Sequence, residues 1–403
     1  MRSLVGVCVL IACGLSACQA LAGYSVLTHE AIIDSAWDDS LKPLIRARFP
    51  DVTDEQLVQA HAYAYGGAII QDMGYYPFSS KLFSDLVHYV RAGDFVTALL
   101  NDASDPNQFA FALGALAHYA SDDNGHPIAI NHAVPMLYPK LRSKYGDPMT
   151  YEDNPPAHLK TEFGFDVLGV ARGSYAPKSY HDFIGFEVSK PLLERAFEET
   201  YSIPLKSLFK SLDLALGTFR STVGGLIPEM TRAAWNAKKK DIQKATPGVT
   251  RRRFVYNLSR GGFEKEWGHN YERPGLGARM LTFMIRVLPK VGPFKAFAFR
   301  IPTPETEKLF MQSFNQTLSQ YRTMIQGTRA NRLTLPERNL DTGQPVRQGT
   351  YRLADRAYQD LLEKLADRKA VVSPGLRGSM LAFYQSGSET LPEKARRELA
   401  SLR

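Results

Sequence analysis

Cysteine is nearly absent from this 403-residue chain: there are 3, Cys8, Cys13 and Cys18, all within the leader. Beyond them the sequence offers no disulfide framework and no thiolate ligand, so any metal must be held by nitrogen and oxygen. Long alternations of apolar and polar residues are scarce, which argues against a fold built on strands. Long apolar runs are lacking too. The stretch from Leu4 to Ala17 follows Met1-Arg2 and is too short to span a bilayer. It has the charged start and apolar centre of a secretory signal, and two processing patterns follow it. Leu15-Ser16-Ala17-Cys18 has the form of a lipobox, which would leave an acylated Cys18; Ala20-Leu21-Ala22 before Gly23 has the form of a signal peptidase site. The expectation is a signal peptide over 1–22 and an exported protein: periplasmic, secreted or an outer-membrane lipoprotein.

What is present is an ordinary globular balance, 44% hydrophobic and 22% charged, with enough material for a sizeable core and for more than one folding unit. Apolar residues recur at helical spacing from Glu30 to Phe49 and near 54–70, 81–100 and 106–121. Pro155-Pro156 reads as a helix start, with further helical stretches at about 189–218, 222–245, 304–326 and 351–369. The expected fold class is all-α. Charge is unevenly divided: 12 Lys and Arg stand against 21 Asp and Glu before residue 190, and 37 against 20 from there on. An acidic half suits a site for several cations, and a basic half suits anionic lipid, polyphosphate or nucleic acid, or simply solvates helices.

Histidine carries the main signal. Eight of the nine, His29, His61, His88, His118, His126, His132, His158 and His181, precede residue 190; His269 stands apart. His118, Asp122 and His126 are four residues apart. Each such step turns a helix by about 40° and climbs about 6 Å, so an imidazole, a carboxylate and a second imidazole share one face. Asp122, with two oxygens, is placed to bridge a pair of ions. His158 and Glu162 repeat the offset on another helix. One such pair is commonly a surface contact; two sets in one histidine-rich, cysteine-free segment point to metal.

The segments 24–30, 66–72 and 86–89, the His118/Asp122/His126 helix and the His158/Glu162 pair resemble, in order, the motif series of the zinc-dependent phospholipase C family. The same architecture is shared by single-strand zinc nucleases. The spacing on the metal helix is most similar to the N-terminal domain of glycosylphosphatidylinositol-specific phospholipase D. The resemblance covers about residues 24–170. It implies a multi-helix catalytic domain and says nothing about residues 190–403. The change in charge and the end of the histidine-rich region set the boundary, which gives a domain over 23–189 and a basic, mostly helical region, 190–403, of unassigned role.

Residue by residue, the resemblance implies two or three zinc ions. One would be held by Asp72, His88, His118 and Asp122, and a second by His126, His158 and Glu162. A third would be held by Asp122, His29 and the amine and carbonyl of the mature N-terminal residue. That residue is usually Trp in the family and here is Tyr24 or Gly23. Such ions activate water and neutralise charge on a phosphodiester, so the implied reaction is hydrolysis of phospholipids or related phosphodiesters by a metal-activated hydroxide. Asp72 either ligates only or also orients the nucleophile as a general base. Two alternatives stay open: a zinc nuclease, and a non-catalytic protein in which zinc supports the fold.

The remaining histidines are read as structural: His61 in the core, His132 as a less favoured substitute for His126, and His181-Asp182 as a surface pair. Asp123 and Asn124 read as a solvated loop rather than as supports of the metal ligands. The runs Lys238–Lys240 and Arg251–Phe254 read as solvated faces. The apolar and basic stretch 281–301 reads as a packed segment, with membrane-surface contact as the alternative.

Overall fold

The computed structural model describes residues 26–172, 185–251, 299–387 and 393–401. These are helical apart from one pair of two-residue strands, and the all-α expectation holds. Helix α1 (Val26–Ala36) runs through a π-helical turn, Trp37–Leu41, into α2 (Lys42–Arg48). Helix α3 (Asp54–Ile69) opens on a capping box in which Thr53 and Gln56 satisfy each other's backbone amides, and it ends in a 3-10 turn, Ile70–Tyr75. The predicted 81–100 helix is two, α4 (Lys81–Tyr89) and α5 (Ala92–Asp102). Arg91 lies between them with φ 53°, a left-handed backbone that no helix continues through.

Helix α6 (Pro106–Gly125) starts on Asp105, whose carboxylate accepts from the Gln108 amide at 2.8 Å, and a π-helical turn, His126–Ile130, carries it into α7 (Asn131–Leu137). Two further helices follow, α8 (Pro139–Tyr145) and α9 (Pro155–Arg172), the latter beginning at the expected Pro-Pro. The 189–218 stretch is α10 (Lys190–Tyr201), a 3-10 turn at Leu205–Leu208 and α11 (Leu212–Ser221). Ser202, at φ 56°, and Pro204 stop α10. After a π-helical turn, Thr222–Leu226, comes α12 (Ile227–Ala245). The last part holds α13 (Pro304–Arg329), strands β1 (Arg338–Asn339) and β2 (Gln344–Pro345), α14 (Arg352–Arg368), α15 (Pro374–Gln385) and α16 (Glu393–Ser401). The strands pair antiparallel, Arg338 with Pro345 and Asn339 with Gln344.

Helix α6 is the axis, buried on almost every face. It crosses α3 at backbone contact. A Cβ on Gly67 would stand 1.9 Å from the Phe111 carbonyl oxygen, and one on Gly114 would stand 2.1 Å from that of Ala64. On another side α13 lies along α6, and the buried Tyr321 hydroxyl donates to the Leu113 carbonyl at 2.8 Å. The apolar core runs without a break from Val26 to Leu399, passing residue 189 through Val188, Leu192 and Leu193. Among the described residues no helix is long and apolar enough to cross a membrane.

Candidate metal centre

Six elements deliver the titratable cluster to one point beside α6. His29 comes from α1, Asp72 from the 3-10 turn after α3, His88 from the last turn of α4, His118 and Asp122 from α6, and His158 and Glu162 from α9. His126 opens the π-helical turn, where Pro127, lacking an N–H, cannot continue the α-helical ladder of α6. The 3-10 turn is held by Ser84, whose hydroxyl donates to the Gln71 carbonyl and accepts from the Gly74 amide at 2.9 Å. All eight side chains are buried, none more than 2% exposed.

The cluster resolves into three groups whose donor atoms lie within 4.8 Å of one another: Asp72/His88/His118, His29/His118/Asp122 and His126/His158/Glu162. Asp122 joins them. Its Oδ2 is 3.2 Å from His118 Nε2 and 3.3 Å from His88 Nε2; its Oδ1 is 3.6 Å from both His29 Nε2 and His126 Nε2. His88 Nε2 is also 3.5 Å from Asp72 Oδ1. In the third group His158 Nε2 lies 2.9 Å from Glu162 Oε1 and 3.1 Å from His126 Nδ1, which is 3.8 Å from the same carboxylate oxygen. The His29 and His118 rings stack with centroids 4.4 Å apart.

Ring orientation tests whether these residues suit a metal. His118 Nδ1 lies 2.8 Å from the Ala68 carbonyl oxygen and His88 Nδ1 2.7 Å from that of Ser84, so each Nδ1 carries the proton and donates. In the neutral rings the Nε2 lone pairs then face each other at 3.1 Å. Two lone pairs at that separation repel unless a proton or a metal ion lies between them; ligands about 2.0–2.1 Å from a tetrahedral zinc stand about 3.3 Å apart, so a zinc ion fits the same spacing. Neither oxygen of Asp122 or Glu162, nor Oδ1 of Asp72, accepts a hydrogen bond of proper geometry, although all are buried. Buried carboxylates in that state are costly in a protein and normal around a metal. Backbone carbonyls behind ligating imidazoles are what fixes their tautomer. The donor set fits zinc.

The electrostatics of the metal-free chain carry the same strain. Burial holds His29 and His158 well below the usual imidazole range, with His118 and His126 respectively adding to it. For His88 burial acts downward, but the carboxylates of Asp122 and Asp72 outweigh it and raise the ring well above that range. Burial pushes Asp122 up, yet the imidazoles of His118 and His126 prevail and hold it well below the ordinary carboxyl. Burial, and then Asp72 and Asp122, raise Glu162 well above its usual value. A cation entering the cluster displaces protons from it.

The remaining sequence candidates fall elsewhere. Tyr24, His181 and His269, the Arg251–Phe254 run beyond its first residue, and 281–298 lie outside the described residues. His61 stacks on Trp37, centroids 4.0 Å apart, and contacts Asp34 Oδ1 at 2.9 Å, away from the cluster. His132 pairs with Asp147 at 2.9 Å and is half-exposed, so it does not replace His126. Asp123 and Asn124 are not a solvated loop: Gln320 of α13 donates to Asp123 at 3.0 Å and accepts from Asn124, which is buried. Lys238 donates to the Phe299 carbonyl and lies over that ring, so the Lys238–Lys240 run is not wholly a solvated face.

One acidic residue at the centre had no signal in the sequence. Asp341, between β1 and β2, is 4% exposed and its Oδ1 lies 3.9 Å from His126 Nε2. Its neighbours Leu340 and Thr342 form no ligand motif, and only the docking of the hairpin brings it there.

Fold and centre together define a predominantly helical protein with a buried cluster of imidazoles and carboxylates whose three groups could hold metal. Residues 28–211 match the family model described as zinc dependent phospholipase C, which supports the family resemblance over that part of the chain. No curated protein and no solved structure matches it.

Proposed function

We propose that the protein is a zinc-dependent phosphodiesterase acting on phospholipids or chemically related phosphodiesters. The observation that carries this reading is the facing pair of His88 and His118 Nε2 atoms, 3.1 Å apart beside the Asp122 carboxylate, within the segment that matches the family. Asp72, His88, His118 and Asp122 hold one zinc, and His126, His158 and Glu162 hold another. Asp122 and His29 hold a third with the mature N-terminal residue, Tyr24 or Gly23. Bound zinc supplies Lewis acidity that activates water and neutralises charge on the phosphodiester. The chain's own part is to fix the ligands: the Ala68 and Ser84 carbonyls set the two tautomers, and Asp72 ligates and orients the attacking water. Export places the enzyme outside the cytoplasm, and the basic region 190–403 supplies contact with an anionic lipid surface.

The depth of the cluster favours one second reading, a protein that zinc stabilises without turnover. The two are separated by hydrolysis of phosphatidylcholine vesicles, of a soluble phosphodiester and of single-stranded DNA, before chelation, after it, and after zinc is returned. Turnover of lipid that follows zinc supports the proposal. Turnover of DNA alone makes the protein a nuclease on the same centre, and zinc binding without turnover of any of the three supports the structural reading.

A further inference from the structure

Histidines that ligate a metal through one nitrogen donate the other N–H to an acceptor that fixes the ring. His88 and His118 have the Ser84 and Ala68 carbonyls in that place. His126 turns Nδ1 to His158 and Glu162, so its Nε2 is the other nitrogen, and two carboxylates near it are Asp122 and Asp341. Asp122 is the nearer, 3.6 Å against 3.9 Å, but it also lies within 3.6 Å of His29, His88 and His118. Any zinc held by Asp122 would engage its oxygens. We propose that Asp341 is the positioning carboxylate of the His126/His158/Glu162 zinc group, and that the strap 335–345 is thereby a working part of the metal centre. This inference rests on the zinc reading above.

The strap is built to hold that carboxylate. The Tyr89 hydroxyl donates to Asp341 Oδ2 at 2.8 Å and the Tyr351 hydroxyl donates to the same oxygen, which leaves Oδ1 toward His126. The Asp341 carbonyl accepts from Asn131 at 2.7 Å, its amide donates to Asn339 Oδ1 at 2.9 Å, and the Leu340 amide donates to the His88 carbonyl at 3.2 Å. Further along, the Pro336 carbonyl accepts from Tyr119 at 2.6 Å, and Glu337 accepts from the Gly93 and Asp94 amides at the start of α5. The strap thus docks on α4, α5, α6 and α7, the elements that carry or adjoin the ligands. At 3.9 Å the Asp341–His126 contact exceeds a direct hydrogen bond, so it acts through charge or a bridging water.

The test uses the full chain and zinc ion alone, with release rates measured against a chromophoric chelator. Asp341→Asn keeps shape and loses charge; it is expected to release one zinc roughly 10–100-fold faster than wild type, the effect usual for such outer partners. In a His158→Ala background, where that group is already broken, Asp341→Asn is expected to add nothing, whereas a general loss of stability would add equally in both backgrounds. Wild-type release from Asp341→Asn, or an equal further loss in the His158→Ala background, overturns the inference and leaves the zinc reading standing. If Asp341→Asn does not fold, Tyr351→Phe and Tyr89→Phe carry the test: faster release supports the inference and unchanged release overturns it. A wild-type chain that binds no zinc overturns both readings.

Discussion

His88 and His118, thirty residues apart in sequence, point their Nε2 atoms at one another across 3.1 Å, and each ring is held from behind by a backbone carbonyl. No arrangement of neutral imidazoles is satisfied that way without a cation. Since Asp122 touches this pair as well as His29 and His126, it should matter to more than one ion.

Asp122→Ala is therefore expected to lower zinc per chain by more than Glu162→Ala, which touches one group only. Elemental analysis of both purified variants checks this. Equal losses would deny Asp122 its bridging place.

Asp166 anchors the chain just before His29. Its carboxylate accepts from the Leu27 amide at 2.9 Å, the Thr28 amide at 3.1 Å and the Thr28 hydroxyl, all buried at the start of α1. Removing the acceptor in Asp166→Ala should cost about 1–3 kcal/mol. Denaturant unfolding measures it, and a wild-type midpoint would show that the anchor is dispensable.

The crossing of α3 and α6 leaves no room for a methyl group. Gly114→Ala would push a Cβ into the Ala64 carbonyl and should destabilise by about 1–3 kcal/mol or more. Gly378, in α15 with nothing within 4 Å of a built Cβ, gives the opposite sign. There, alanine should stabilise by about 0.5–1 kcal/mol, and paired melting curves separate the two sites.

Glu337 supplies a pH dependence away from the metal. Burial, and then Asp94, push its carboxyl up to about 7 from an ordinary 4.5, against the amides that favour the anion. A raised pKa means that the folded chain binds the proton more tightly than the unfolded one. This contribution to stability is therefore complete below about pH 4.5 and is lost as pH rises toward 7. Thermal melts between pH 5 and 8 should show a declining midpoint in the wild type and a flatter profile in Glu337→Gln. Parallel profiles would contradict the assignment.

The helices were readable from apolar spacing because most of them bury one face, and α6 was marked further by the His118/Asp122/His126 series. Breaks were less visible. Arg91 and Ser202 adopt left-handed backbone without being glycine, so 81–100 and 189–218 read as longer helices than they are. Of the eight buried residues, His118, Asp122, His126, His158 and Glu162 were legible because imidazoles and carboxylates sat four apart on helices, whereas His29, Asp72 and His88 have no such spacing and came only with the family resemblance. Asp341 was not: a lone aspartate in a two-strand hairpin has no periodicity, and its role depends on Tyr89, Asn131 and Tyr351 meeting it in three dimensions. Asp123 and Asn124 were misread for a related reason, since Gln320, which covers them, lies 196 residues away from Asn124.

Metal content tests the central claim most directly. Zinc per chain, measured on purified mature protein after exhaustive dialysis, should be two or three, and should fall in His118→Ala, whose ring belongs to two of the three groups. A wild-type chain that retains no zinc, or a His118→Ala chain that retains as much as the wild type, would contradict the account.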